Sequence, residues 1–163
     1  MMQGRLEGEW LRLALFIQDE LADIEQVVAR VERFLTLALQ SDEDAYWDAI
    51  ALNLHGFYSG VERILTEIAR EIDEATPSGR DWHRALLRQM AWEVPSRRPA
   101  ILQQETRECL DEYRRFRHIV RNVYTFSFNR ARLRELAGAL SRCYEAVQRD
   151  LLAFARFLER LQE

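Results

Sequence analysis

The sequence contains no lysine: its 23 lysine-plus-arginine positions are all arginine. Codon usage in a GC-rich bacterial genome accounts for arginine spread over the whole chain. Phosphate recognition is the other reading, because a guanidinium forks onto phosphate oxygens where an ammonium does not. Histidine is scarce too. His55, His83 and His118 share no metal-ligand spacing with each other or with the cysteines, so no structural zinc is expected. There is no Glu-x-x-His, which leaves a ferritin-type di-iron centre unsupported. With no P-loop and no G-x-G-x-x-G either, neither metal nor cofactor is expected. The only two cysteines, Cys109 and Cys143, fall inside helical patterns and read as free, buried thiols in a reducing cytosol. No apolar run approaches the roughly 20 residues needed to span a bilayer. Residues 1–9 carry no apolar segment of the signal-peptide kind. A cytoplasmic protein without membrane contact is expected. At 163 residues, 48% hydrophobic and 31% charged, the chain fits one soluble domain over 1–163 with one sizeable core.

What is present is helical periodicity. Over 6–40, Trp10, Leu13, Ile17, Leu21, Ile24, Val28, Val31, Leu35 and Ala38 step by three or four, with no proline or glycine between them. Ser41 with Asp44 three positions on reads as a capping box, opening a second helix over 42–73. That helix carries the stripe Ile50, Leu54, Phe57, Val61, Ile64, Ile68 and Ile72. Gly56 and Gly60 interrupt it at a cost of roughly 0.5–1 kcal/mol each against alanine, which suggests close helix packing. A turn at 75–79, a short helix over 82–93 and a proline-bracketed break at 94–99 follow. A fourth helix is expected over 100–126. Asn129 reads as the N-cap of a fifth over 130–161. The reading is all-α, an up-and-down bundle of four long helices plus one short helix.

One stretch departs from the acidic balance of the rest. From Tyr113 to Arg134 there are seven arginines, one histidine and no acidic residue. Outside it, 16 arginines face 27 acids, a balance of −11 against −4 for the whole chain. A positive patch on a negative body is the footprint of a phosphate or nucleic-acid site. On a helix, Arg114, Arg117, His118 and Arg121 share one face, while Tyr113, Phe116, Val120 and Val123 lie opposite and can face a core. The bland alternative is that these arginines are solvated or paired with acids of other helices, each pair contributing about 0–1 kcal/mol.

The run Arg117-His-Ile-Val-Arg-Asn-Val-Tyr124, late in the fourth helix of an all-α chain, resembles the HEPN superfamily and, more narrowly, the HepT-like ribonuclease toxins. The segments 53–58, with Gly60, 61–63 and 82–90 belong to the same resemblance. It implies a HEPN-type bundle and a metal-independent endoribonuclease acting as a homodimer. It also implies a partner, an MNT-type nucleotidyltransferase antitoxin that adenylylates a tyrosine. In the family motif R-x(4–6)-H, Arg117 takes the arginine position, His118 the adjacent polar position, Asn122 the histidine position and Tyr124 the modified tyrosine. The departure is Asn122, since an amide cannot accept a proton at neutral pH. Two alternatives follow. Either His118 supplies the imidazole, with Arg117 and Arg121 stabilising the phosphorane-like transition state and Arg114, Arg115 and Arg130 holding RNA. Or the protein binds RNA or a nucleotide without cutting it.

Overall fold

Among the described residues five α-helices follow one another: α1 (Glu9–Ser41), α2 (Asp44–Ile68), α3 (Trp82–Met90), α4 (Gln104–Asn122) and α5 (Arg130–Arg160). They come from a computed structural model that describes residues 8–122 and 129–162, with the side chains of 118–122 outside the description. Among the described residues there is no strand, only an isolated bridge between Val94 and Arg98.

The apolar stripe of α1 is buried as its spacing requires, from Leu13 through Ile17, Leu21, Ile24, Val28 and Val31 to Ala38, while Trp10 and Leu35 sit at its margins. The helix ends at Asp42, which takes a left-handed conformation (φ 56°) and returns its N–H to the Ala38 carbonyl. Ser41 is not the N-cap of α2. Its hydroxyl donates back to the Leu37 carbonyl at 3.0 Å within α1, the i−4 bond that competes with capping. Glu43 stands at the N-cap position without a side-chain cap bond. Asn129 does cap α5, accepting from the Arg132 N–H at 3.3 Å.

The directions of the helices follow from their end contacts. α1 and α2 are joined by Asp42 and Glu43 alone and pack antiparallel. α5 runs back along α1, with Arg130 on Asp42 at one end and Gln18 on Glu159 at the other. α4 and α5 are antiparallel too: the Gln103 N–H donates to Asp150 and, further along, the Tyr113 hydroxyl donates to the Leu136 carbonyl. The result is an up-and-down bundle of α1, α2, α4 and α5, with the short α3 laid against α2 and α4.

Two features depart from the sequence expectation. The second helix does not stay α-helical to its end: residues Ala69–Asp73 form a π-helical turn. That turn delivers Asp73 to Arg98, whose side chain is fully buried. Arg98 donates twice to the Asp73 carboxylate, at 2.6 and 2.8 Å, and to the carbonyls of Trp92, Pro99 and Gln89. All five guanidinium N–H groups are thereby used. The proline-bracketed break is thus an ordered turn, with Ser96 left-handed (φ 68°), pinned to the π-helical turn by Arg98 and by Arg97, which donates to the Ile72 and Asp73 carbonyls. The second departure is at the cysteines. Cys109 and Cys143 are joined as a disulfide between α4 and α5, not free thiols. Antiparallel packing puts these two positions opposite each other, a pairing that spacing along one helix does not show.

Candidate active site

The geometry around Arg117 is built from three helices. Glu62 lies on the buried side of α2, between the core residues Val61 and Leu65, and is 5% exposed. A carboxylate is costly there unless it is hydrogen-bonded and paired. Both conditions are met. Arg117, from α4, donates Nη1–H to Glu62 Oε1 at 2.9 Å, and His83, in the first turn of α3, places Nδ1 at 2.6 Å from Glu62 Oε2. Arg117 Nη1 and His83 Nδ1 are themselves 3.2 Å apart.

This network assigns the imidazole proton. If Nδ1 were the lone pair, it would face a carboxylate lone pair at 2.6 Å, which is repulsive. Nδ1 is therefore the donor to Glu62, and Arg117 and His83 are two donors sharing one carboxylate. In the neutral ring Nε2 is then the acceptor nitrogen, and no described residue hydrogen-bonds to it. The indole of Trp82 lies along the ring, with centroids 3.7 Å apart. The ring is thus fixed by a carboxylate at one nitrogen and an aromatic neighbour on one face, while the side chain stays 23% exposed.

Tyr58, one turn before Glu62, completes the node. The Arg117 guanidinium carbon lies 5.9 Å from the Tyr58 ring centroid, within cation–π range. Burial first, and then the Glu62 charge, pushes ionisation of the Tyr58 hydroxyl well above its ordinary range. The Tyr58 hydroxyl and Arg117 Nε are buried with no hydrogen-bond partner among the described residues.

The other residues singled out by the sequence divide. The apolar back of α4 is as expected where it is described: Tyr113 and Phe116 are buried. The cationic front is largely neutralised. Arg114 and Arg115 both hold Asp111, and Arg132 holds Glu112 and Glu135. Arg130 holds Asp42 and Asp44 and lies over the Trp47 ring, fastening α5 to the α1–α2 turn. Arg115 is the most open of these, its side chain 66% exposed. The backbone of α4 continues through His118, Arg121 and Asn122, but their side chains lie outside the described residues, as does the whole of Tyr124.

A cationic surface not anticipated from the sequence lies between α3 and α4. Arg84, Arg88, Arg107 and Arg115 line a groove of about 550 Å³ with three carboxylates. Two of these are committed elsewhere, Asp111 to Arg114 and Arg115, and Glu112 to Arg132. Arg84, Arg88 and Arg107 form no ion pair among the described residues. The sequence contained a signal for this groove: Arg84 and Arg88 are four apart on a short helix and so share a face. A larger cavity of about 740 Å³ lies between α4 and α5 over the disulfide. Four glutamates and three arginines line it, a poor match for a polyanion. Among the described residues, no group of three or more His, Cys, Asp or Glu side chains is placed to hold a metal ion, and no helix is long and apolar enough to cross a membrane.

An all-α bundle of this order, with a half-buried arginine of the penultimate helix paired to α2, is consistent with a HEPN-type helical domain. More narrowly, a family model described as HepT-like protein matches residues 49–158, more than half of the chain, and the chain belongs to that family. Glu62, His83 and Arg117 all lie within the matched region. No curated protein and no solved structure matches the chain.

Proposed function

We propose that this HepT-like protein is the toxin half of a prokaryotic toxin–antitoxin pair and cuts RNA. The ribose 2′-hydroxyl would attack the adjacent phosphodiester, with no metal ion required. The observation that carries this reading is Arg117, held rigidly by a buried carboxylate beside an imidazole inside the HepT-like region. A preorganised guanidinium is what a phosphorane-like transition state needs, because its charge appears where the donor already points. In this proposal Arg117 and Arg121 receive that charge, and His118 and Asn122 take the adjacent polar and the histidine positions of the motif. Arg114, Arg115 and Arg130 contact RNA, Arg115 foremost because it is the most exposed. The partner is a nucleotidyltransferase antitoxin of the MNT type, which silences the toxin at Tyr124. Two copies face each other across a two-fold axis, doubling the positive potential around one phosphate. The setting is the cytoplasm.

A second reading is favoured by Asn122 and by the Glu62 pairing of Arg117. A protein with an amide in place of the motif histidine and a partly neutralised arginine could bind RNA or a nucleotide without cutting it. The two separate in one assay. Purified protein is incubated with labelled bacterial RNA in EDTA, and product ends are identified. We expect fragments ending in 2′,3′-cyclic phosphate and 5′-hydroxyl. Arg117→Lys, which keeps the charge and loses the fork, should slow cleavage by about 10²-fold. His118→Ala in the same assay reports whether that imidazole takes part. RNA retained on the protein but left intact under all conditions would support the binder.

A further inference from the structure

We propose that His83 is a catalytic base of this site, with Glu62 as its positioning residue. The inference rests on the ribonuclease reading and deepens it. The sequence motif places every candidate on α4, and its histidine position holds an amide. The fold brings an imidazole to Arg117 from a different helix, 34 residues away in sequence.

Three observations carry the assignment. The first is protonation state and direction. Nδ1–H is held by Glu62 at 2.6 Å, so in the neutral ring Nε2 carries the lone pair, and it makes no hydrogen bond to any described residue. A base oriented by a third group through its other nitrogen is the arrangement that general-base chemistry uses. The second is the pairing of functions. Arg117 Nη1 lies 3.2 Å from Nδ1 of the imidazole that would take the proton through Nε2, and both side chains share one carboxylate, which holds the guanidinium and the ring together. The third is access. His83 is partly exposed, and the next residue, Arg84, lines the α3–α4 groove with Arg88, Arg107 and Arg115. His83 does not itself line that groove; a phosphodiester chain held by those arginines would lie beside the next residue of α3. At 550 Å³ the groove is of the size that holds small ligands, such as a nucleotide of that chain.

The step balances without a co-reactant. Nε2 takes the proton of the ribose 2′-hydroxyl. The 2′-oxygen forms a bond to the adjacent phosphorus, and the bond from phosphorus to the 5′-oxygen breaks. The leaving 5′-oxygen takes a proton from water, and the imidazolium returns its proton to solvent. The products are a 2′,3′-cyclic phosphate and a 5′-hydroxyl, and no water is consumed. The groups against the ring are Glu62 from α2, Arg117 from α4 and the neighbouring Trp82 of α3.

The test uses the full chain, total bacterial RNA as the probe and EDTA throughout. Wild type, His83→Ala and His83→Gln are compared for cleavage rate, RNA affinity and thermal melting. We expect both variants to lose about 10²-fold or more in rate while RNA affinity changes less than about twofold. Added imidazole should restore at least about tenfold to His83→Ala, where the ring has left space. It should not rescue His83→Gln, where the amide fills the space. Wild-type cleavage in either variant overturns the assignment and leaves the ribonuclease reading standing. Loss in His83→Ala that imidazole does not relieve also overturns it, leaving His83 a structural partner of Glu62. If His83→Ala does not fold, His83→Gln decides by its rate at unchanged affinity. No cleavage by wild type removes the ribonuclease reading and this inference with it.

Discussion

Single residues in this bundle do work that their type alone does not announce. Tyr113 and Tyr144 are examples. Each is buried, and each hydroxyl donates to a carbonyl of a neighbouring helix, Tyr113 to Leu136 at 2.7 Å and Tyr144 to Leu21 at 3.1 Å. Burial pushes the Tyr144 hydroxyl up to about 12, with the Glu25 charge adding to it, and raises Tyr113 further despite the opposing charge of Arg132. A phenol in the unfolded chain ionises near pH 10. The folded values are higher, so the folded state holds the protons longer. The stabilisation from these two groups is complete below about pH 10 and is lost as pH rises from there through about 12. We therefore expect alkaline unfolding in which tyrosinate absorbance and loss of far-ultraviolet circular dichroism rise together. Tyr144→Phe should weaken the dependence on pH. Full tyrosinate formation near pH 10 with the helices intact would show that these hydroxyls are not held as described. Arg98 makes the same point from the other side. In the sequence it is one of two arginines in a proline-rich break; in the fold it is a fully satisfied buried cation joining that break to α2.

At the scale of elements, the helix count, the order and most boundaries were legible because apolar spacing is a local signal. The stripe of α1, the cap at Asn129 and the apolar back of α4 follow from it directly. What was not legible depends on which faces meet. The Ser41 hydroxyl could accept from a backbone N–H of α2 or donate to a carbonyl of α1, and spacing could not tell a cap from a back-bond. The π-helical turn has no periodic signature, and its reason, Arg98, lies 25 residues further on. The Glu62–His83–Arg117 node was half visible, since Glu62 and His83 lie in segments that carry the family likeness, but nothing in either helix says they meet. The two glycines of α2 show the same limit. Close packing was expected at both, and only Gly60 has it: a Cβ there would stand 2.9 Å from Ile24 Cγ1 of α1, whereas one at Gly56 would meet nothing within 4 Å. Gly60→Ala forces Ile24 to move, an overpacking cost of about 1–3 kcal/mol that outweighs the roughly 0.5–1 kcal/mol gained in helix propensity. Gly56→Ala keeps the gain alone. Urea denaturation should therefore rank Gly56→Ala above wild type and wild type above Gly60→Ala, with each step on the order of 1 kcal/mol. The reverse order would mean that α1 and α2 do not approach at Gly60.

For the whole molecule the question is where positive potential survives on a chain of net charge −4. Counting arginines along the sequence placed it on α4 and the start of α5. The fold moves it. Arg114, Arg115, Arg117, Arg130 and Arg132 each hold a carboxylate, three of these acids (Asp111, Glu112 and Glu135) flanking the acid-free run, while Arg134 stays exposed without an ion pair among the described residues. Arg84, Arg88 and Arg107 hold none among the described residues, and with Arg115 they line one groove. Field lines from a cleft with unpaired cations reach further than those from ion pairs, so an approaching polyanion is drawn to α3–α4 first. Binding of single-stranded RNA releases counterions, and the slope of log affinity against log salt is about −0.7 per phosphate neutralised. Arg88→Glu combined with Arg107→Glu should therefore weaken binding of mixed-sequence RNA at least about tenfold near 0.1 M salt and flatten that slope by about 1.4. The loss should be alike for all sequences, because phosphate contacts position a strand without reading it. Arg132→Ala is the comparison. Its guanidinium is already committed to Glu112 and Glu135, so its removal should leave the slope unchanged. A slope that falls in Arg132→Ala and holds in the double variant would return the RNA surface to the far end of α4 and the start of α5.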